Sequence, residues 1–138
     1  MKKLFSLAMC VLMLFINGCD RTIYHWSFNN KESLITGMYI VEAETTYEYK
    51  VIKTIPFDKK EELIKDIENI NYVKYGFNLW VTRGMCFVIK FSNEEYDIIS
   101  YREPEHVFYD EDGLTSFITW LECDRSYFDS LINKYMED

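Results

Sequence analysis

The sequence predicts an α+β domain in which helices pack on one face of an antiparallel sheet of four to six strands. Apolar and polar residues alternate over residues 39–55 with the period of two that is typical of strands, and residues 85–91 are apolar on both faces, as in a central strand. Residues 59–70 and 114–137 have apolar residues at helical spacing instead. Consecutive strands joined by short turns, with a helical C-terminus, favour the α+β class.

Residues 39–55 alternate most clearly. The side chains predicted for one face are Tyr39, Val41, Ala43, Tyr47, Tyr49 and Val51, and those for the other are Glu42, Glu44, Glu48 and Lys50. The stretch is either one long strand or two strands joined near residues 44–46, where neither Gly nor Asn marks a tight turn.

A helix is predicted after Pro56, over residues 59–70. Asp58 offers an N-cap and Glu61 stands three residues later, the spacing of a capping box. The apolar positions of this helix are Leu63, Ile64, Ile67 and Ile70. Such a stripe is typical of a helix face that packs on a sheet.

Three further strands are predicted at residues 72–82, 85–91 and 96–101, joined by short turns as in an antiparallel meander. A short edge strand is predicted at residues 107–110.

From Leu114 the period changes to that of a helix. The apolar positions are Leu114, Phe117, Ile118 and Leu121, then Phe128, Leu131, Ile132 and Tyr135. Because the pattern breaks at residues 123–125, the C-terminus is either one long helix or two short ones, and Ser126 with Asp129 offers a cap for the second.

The N-terminus has the pattern of a secretory signal peptide. Lys2 and Lys3 precede an uncharged run at residues 4–16. As a helix, that run would span roughly 20 Å, which is short of the ~30 Å hydrocarbon core of a bilayer. A positive start, a short apolar run and a small residue before the cleavage point are typical of a signal peptide.

Residues Ile16-Asn17-Gly18-Cys19 resemble the lipobox of bacterial lipoproteins. The resemblance covers only about the first twenty residues. It implies cleavage after Gly18, a diacylglycerol on the sulfur of Cys19 and an acyl chain such as palmitate on the new amino group. Two or more acyl chains give stable membrane anchoring.

Asp20 resembles the inner-membrane retention signal of enteric-type lipoproteins. The implied location is the inner membrane, facing the periplasm, or the outer face of the cell membrane in a Gram-positive cell. The expected organisation is a signal peptide at residues 1–18, a lipidated tether at 19–33 and one domain at 34–138.

The mature chain would be strongly acidic. The whole sequence has 15 Lys and Arg against 23 Asp and Glu, and residues 1–18 contain two of the lysines and no acid. Removal of those residues leaves 13 basic and 23 acidic residues, a net charge of −10. Such a charge disfavours nucleic acid as a partner and favours basic proteins, although acidity also serves solubility.

Two cysteines remain once Cys10 is cleaved off with the signal peptide and Cys19 is lipidated. In an oxidising compartment Cys86 and Cys123 are expected to form a disulfide, which would close a loop of about 38 residues and contribute about 4 kcal/mol. The alternative is two buried free thiols.

No residue constellation points to catalysis, a metal or a cofactor. The acidic run Asp110, Glu111, Asp112 fails the ligand spacing of an EF-hand and is interpreted as a solvated turn. His25 and His106 lack a second His or Cys at metal-ligand spacing. His106 stands beside Glu103 and Glu105 in a predicted loop, where acid–base chemistry is conceivable.

Aromatic residues are frequent on the predicted strands: Tyr47, Tyr49, Tyr72, Tyr75, Phe77 and Trp80. They belong either to the core or to a binding surface, since Tyr and Trp are enriched in interaction hot spots.

Together these observations predict a membrane-anchored, non-enzymatic binding protein, and in a sharper form an immunity or inhibitor protein against a toxin. The alternative is an accessory subunit of a cell-envelope complex. The acids expected to meet a basic partner are Glu42, Glu44, Glu48, Asp110, Glu111 and Asp112.

Overall fold

A computed structural model describes residues 22–28, 34–75, 83–116 and 119–137. Its strands are β1 (Ile35–Ala43), β2 (Tyr49–Thr54), β3 (Val73–Lys74), β4 (Gly84–Phe91), β5 (Tyr96–Ile99), β6 (Glu105–Asp110), β7 (Gly113–Ser116) and β8 (Leu121–Glu122). Its helices are α1 (Lys60–Glu68), which follows a 3₁₀ turn at Phe57–Lys59, and α2 (Arg125–Glu137). Six strands form one antiparallel sheet in the order β2-β1-β4-β5-β6-β7, and β3 pairs with β8. The predicted α+β class is confirmed.

Both helices pack on the same face of the six-stranded sheet, called here the helix face. The sheet contributes Met38, Ile40, Phe87, Ile89 and Ile99 to this core, and the helices contribute Leu63, Ile64, Ile67, Phe128, Leu131, Ile132 and Tyr135. The ring of Phe87 meets those of Phe128 and Tyr135 edge-on at 5.9 and 5.8 Å. The apolar residues at helical spacing in α1 and α2 therefore form the faces of the helices that pack on the sheet.

The alternating stretch at residues 39–55 forms two strands, which decides between the two readings of the sequence. The loop 44–48 turns without Gly because Thr45 supplies the hydrogen bonds. Its Oγ1 accepts from the backbone N–H of Tyr47 at 3.2 Å and from that of Glu48 at 3.0 Å. Local side-chain hydrogen bonds of this kind are typical of turns.

The helix predicted at 59–70 is confirmed at Lys60–Glu68, but its predicted capping box is wrong. The residue at the N-cap is Lys59, and no side chain caps the helix there. A 3₁₀ turn at Phe57–Lys59 precedes the helix in place of the cap. The tighter turn lets the chain enter the helix directly from Pro56.

The C-terminal helix is confirmed from Arg125, whereas its predicted extension back to Leu114 is wrong. Residues 113–116 form β7, which pairs with β6 across a turn at Gly113, where φ is 116°. The spacing of Leu114 and Leu121 is fortuitous, because the open edge of β6 offers hydrogen bonds that an extended segment satisfies. Phe117 and Ile118 lie outside the described residues.

Asp124 caps α2 instead of the predicted pair Ser126 and Asp129. Its Oδ1 accepts from the backbone N–H of Tyr127 at 2.8 Å and from the hydroxyl of Ser126 at 2.7 Å. The hydrogen bond from Tyr127, together with that from Ser126, holds the pKa of Asp124 below its usual value.

The strands predicted at 85–91 and 96–101 are confirmed as β4 and β5, and the predicted edge strand at 107–110 is β6, flanked by β7. Of the strand predicted at 72–82, only β3 is a strand in the described part, and residues 76–82 lie outside it.

Residues 22–28, predicted as part of a tether, pack against the domain. Tyr24 exchanges two backbone hydrogen bonds with Tyr72, at 2.8 and 2.9 Å, and Phe28 is buried in the core. The packed domain therefore begins before residue 34.

Candidate functional site

The face of the sheet opposite the helices carries a group of tyrosines, called here the tyrosine face: Tyr39, Tyr47, Tyr49, Tyr96 and Tyr109. They surround a buried layer of Val41, Ala43, Cys86, Val88, Ile98 and Val107. Within the described part of the chain, no buried residue of α1 or α2 belongs to this layer. The period-two alternation of the strands places this layer and the helix-face core on opposite sides of the sheet.

The tyrosines form a continuous group with a graded exposure. Tyr47 and Tyr109 are 47% and 56% exposed, Tyr39 and Tyr49 are half-buried, and Tyr96 is buried. The rings of Tyr49 and Tyr96 meet edge-on at 5.7 Å. Burial raises the pKa of Tyr96, and the neighbouring Tyr49, Tyr47 and Tyr109 raise it further. The phenol of Tyr96 stays neutral and donates to the backbone oxygen of Thr46 at 2.9 Å.

Tyr39 lies over Gly37, and this close approach requires glycine. A Cβ atom on residue 37 would lie 2.4 Å from the hydroxyl oxygen of Tyr39. The ammonium of Lys90 lies 5.6 Å from the centre of the same ring. Gly37 therefore lets the ring of Tyr39 lie against the sheet.

The β1–β2 loop folds over one end of the tyrosine face. It reaches β7, the far edge strand of the sheet, where the hydroxyls of Tyr47 and Ser116 are 3.2 Å apart. Nearby, Thr46 donates its hydroxyl proton to Glu105 at 2.5 Å. These contacts hold the loop against the tyrosine face.

A buried ion pair holds this loop in place. The guanidinium of Arg83 donates to Glu105 at 2.8 Å, to Thr46 Oγ1 at 2.8 and 3.1 Å and to Ser100 Oγ at 2.9 Å. The side chains of Arg83 and Glu105 are only 9% and 3% exposed. The sequence carried no signal for this pair, because its members are 22 residues apart.

The six acidic residues predicted to bind a partner are all exposed, but they form two separate clusters. Glu42, Glu44 and Glu48 line an open cleft of about 490 Å³ beside the β1–β2 loop, which they share with Ala43, Tyr49, Lys50 and Gly84. The register places Lys50 opposite Glu42, where it offsets part of the negative charge.

The second acidic cluster, at Asp110, Glu111 and Asp112, lies in the β6–β7 turn. β6 starts at Glu105, which contacts the β1–β2 loop, and ends at Asp110. Five residue steps of ~3.3 Å separate the two ends by roughly 17 Å. The two acidic clusters therefore lie near opposite ends of the sheet, and strand alternation directs Glu42 away from the tyrosine face.

His106 lies on β6 and not in the predicted loop, and its partners are not the predicted ones. Its Nε2 is 2.9 Å from Glu95 Oε2, and its Nδ1 contacts Asp97 Oδ1. Glu105 pairs with Arg83 on the other face of the sheet, and Glu103 accepts a hydrogen bond from the hydroxyl of Tyr75.

The other carboxylate oxygen of Asp97 accepts from the indole N–H of Trp26 at 2.9 Å. Both ring nitrogens of His106 face carboxylates, and the group links β5, β6 and the 22–28 segment. Among the described residues, no three His, Cys, Asp or Glu side chains are arranged to hold a metal ion.

The predicted Cys86–Cys123 disulfide is not formed in the structure, where both thiols are free. Cys86 belongs to the buried layer under the tyrosine face, whereas Cys123 packs against the core on the helix face. The two side chains therefore pack in different hydrophobic cores. Burial raises the pKa of each thiol to about 12.

The remaining predictions concern the N-terminus. The signal peptide at 1–18, the lipidation of Cys19 and the sorting role of Asp20 lie outside the described residues. In the part of the chain that the structure covers, no helix combines the length and the apolar character that a membrane span needs. His25 contacts the backbone oxygen of Ile70 at 3.1 Å.

Comparison with known proteins finds no match for this chain among family models, curated proteins or solved structures. Function is therefore inferred from the surface itself.

Proposed function

We propose that this protein is a lipid-anchored binding protein that captures a basic protein partner on its tyrosine face. The observation that carries the proposal is the tyrosine-lined sheet face, which no helix in the described part of the chain covers, with exposed acids near both ends of the sheet.

The aromatic part of this surface suits protein recognition. Tyr47 and Tyr109 are about half exposed, and each combines a large apolar ring with a hydroxyl group. Tyrosine loses little conformational entropy on binding and is enriched in hot spots. The buried layer beneath the tyrosines keeps the surface rigid, which limits the ordering cost of binding.

The charge of the domain supports a basic partner. Acids near both ends of the sheet would attract a basic surface during encounter, and the net charge of −10 of the mature chain would add to that attraction. In the sharper form of the proposal the partner is a toxin, and the protein acts as its immunity or inhibitor protein.

The proposed location follows the lipobox resemblance. Cys19 would carry the lipid, and Asp20 would retain the protein at the inner membrane, facing the periplasm, or Cys19 would hold it on the outer face of a Gram-positive membrane. The proposal assigns no catalytic residue and no cofactor.

The test is affinity capture from solubilised membranes with tagged full-length protein. A Tyr47→Ala/Tyr109→Ala variant should lose the partner that wild type retains. Tyr127→Ala is the matched control, because Tyr127 lies on α2 and is 47% exposed, like Tyr47. Equal recovery of the same partner by all three proteins would contradict the proposed surface.

The identity of the captured protein separates the alternatives. A soluble basic protein supports capture of a toxin or similar partner. A set of membrane proteins that co-purify in fixed ratio would indicate an accessory subunit of an envelope complex instead.

A further inference from the structure

The small sheet formed by β3 and β8 is extended on both sides by single residues. Tyr24 bridges to Tyr72 next to β3, and Arg102 bridges to Glu122 of β8. Four segments of the chain therefore lie side by side. The inner side of this small sheet is covered, because Tyr72 is buried in the helix-face core and Tyr24 and Leu121 pack against that core.

The outer side of the small sheet carries an apolar and aromatic patch, called here the outer patch: Ile23, Val73, Tyr75, Arg102 and Trp120. Tyr72 faces the core, so alternation directs Val73 outwards, together with its pairing partner Glu122 and with Arg102 opposite Glu122. The rings of Tyr75 and Trp120 meet edge-on at 6.2 Å, and the guanidinium of Arg102 lies 5.0 Å from the centre of the Tyr75 ring.

Two members of the outer patch are large and exposed. Ile23 is 53% exposed and Trp120 is 41% exposed. Trp120 also has a left-handed backbone, with φ of 55°, which bulky residues rarely adopt. The hydrogen bond from the N–H of Tyr75 to the backbone oxygen of Trp120, at 3.1 Å, holds this conformation. The fold thus keeps an indole ring at the surface in a strained position.

The outer patch is close to neutral. Arg102 forms an ion pair with Glu122 at 3.1 Å, and Glu103 accepts a hydrogen bond from the hydroxyl of Tyr75. A partner for this surface therefore needs to accept aromatic and aliphatic side chains more than charge. The headgroup region of a bilayer does so, since Trp and Tyr concentrate there.

The short distance along the chain between Cys19 and Thr22 indicates that the partner of the outer patch is the membrane. Only Asp20 and Arg21 separate Cys19 from Thr22, and three residue steps span at most about 11 Å. The pairing of Tyr24 with Tyr72 places Thr22 opposite Lys74, one strand from Leu121 and beside the outer patch. A lipid on Cys19 would therefore hold this part of the domain at the membrane.

We propose that the outer patch rests on the phospholipid surface, with Trp120 and Ile23 among the headgroups. The inference rests on the proposed lipidation of Cys19. It goes beyond anchoring because it assigns an orientation. The chain enters on the side of the sheet that carries the helices, which leaves the tyrosine face on the opposite side of the sheet.

The test uses the purified full-length lipoprotein in phosphatidylcholine vesicles with and without brominated acyl chains, which quench tryptophan on contact. Wild-type fluorescence should fall with the brominated lipid, and Trp120→Phe should remove most of that fall. Trp120→Phe/Tyr109→Trp has the wild-type number of tryptophans, with one moved to the tyrosine face, and should not restore the quenching. Ile23→Asp keeps Trp120 and should weaken the quenching, which guards against misfolding of the Trp120 variant.

Flotation with the vesicles and the mass of the mature protein report the anchor separately. If the protein is acylated and floats, but its quenching is the same in wild type, Trp120→Phe and Ile23→Asp, the proposed orientation is overturned and the anchor stands. If Cys19 carries no lipid, the proposed anchor fails and the orientation falls with it.

Discussion

The hydroxyl of Tyr47 lies 3.2 Å from that of Ser116, although the two residues adjoin opposite edges of the six-stranded sheet. Four strands separate β2 from β7 in the sheet order. Because Tyr47 lies in the β1–β2 loop, its contact with Ser116 shows that this loop reaches across the tyrosine face to the far edge strand.

The ion pair of Arg83 with Glu105 is expected to stabilise the domain and to hold the β1–β2 loop against the sheet. Arg83→Ala should lower the free energy of unfolding by about 3–5 kcal/mol, because it leaves the buried carboxylate of Glu105 without its charged partner. Urea unfolding measures the change. Arg125→Ala is the control, since Arg125 and Asp129 are exposed and 3.9 Å apart, and it should cost less than about 0.5 kcal/mol. Similar losses for both variants would contradict this role.

Trp26 is expected to stabilise the domain even though it precedes the sheet. Trp26→Phe keeps an aromatic ring but removes the N–H that donates to the buried Asp97, which should cost about 1–3 kcal/mol. Thermal unfolding of the wild type and the variant measures this. An unchanged midpoint would show that residues 22–28 act as a tether after all.

The two thiols are expected to be free and slow to react. The mass of the folded protein should not change with reductant, and alkylation should add two groups, with Cys123 modified before the fully buried Cys86. A mass that is lower by two hydrogens without reductant would show instead that Cys86 and Cys123 form a disulfide.

The same thiols predict a loss of stability at alkaline pH. Burial raises their pKa from the ordinary 9.0 to about 12, so below pH 9 they are protonated in both states. Above pH 9 the unfolded chain releases these protons first, and the free energy of unfolding should fall as pH rises towards 12. A Cys86→Ala/Cys123→Ala variant should lose part of this dependence in urea titrations at several pH values.

The acidic clusters are expected to control how fast a basic partner associates. Glu44→Lys/Glu48→Lys should slow association roughly tenfold at low salt and change dissociation less, because these acids act by steering. Asp58→Lys/Glu61→Lys makes the same change of charge beside α1 and should have a smaller effect. Association rates across salt concentration measure this, since screening shortens the Debye length to ~3 Å at 1 M. Association rates that change neither with salt nor with the Glu44 and Glu48 substitutions would contradict steering. The acidity of the domain would then serve only solubility.

Lipidation is expected to depend on Cys19. Cys19→Ala should abolish labelling with a fatty-acid analogue, because the thiol that receives the diacylglycerol is gone. Asp20→Ser should move the protein to the outer-membrane fraction of an enteric host. Equal labelling of wild type and Cys19→Ala would refute the anchor, and an unchanged distribution of Asp20→Ser would remove Asp20 from sorting.

The sequence by itself determined the fold class, the extended stretch that contains β1 and β2, the strands β4, β5 and β6, the helix α1 and the helical end of the chain. Period two and period 3.6 are local properties of the backbone, so they can be read along the chain. It also placed the two acidic clusters on the surface, because charge without a partner stays in water.

Only the tertiary structure decided which distant residues meet. Arg83 contacts Glu105, and His106 contacts Asp97 and Glu95, through strand register and loop packing, which no local pattern encodes. The spacing of the apolar residues around Leu114 is compatible with a helix or a strand. The segment forms strand β7 because it satisfies the hydrogen bonds at the open edge of β6. The separation of Cys86 from Cys123 has the same origin, because the core in which a side chain is buried depends on every strand and helix packed around it.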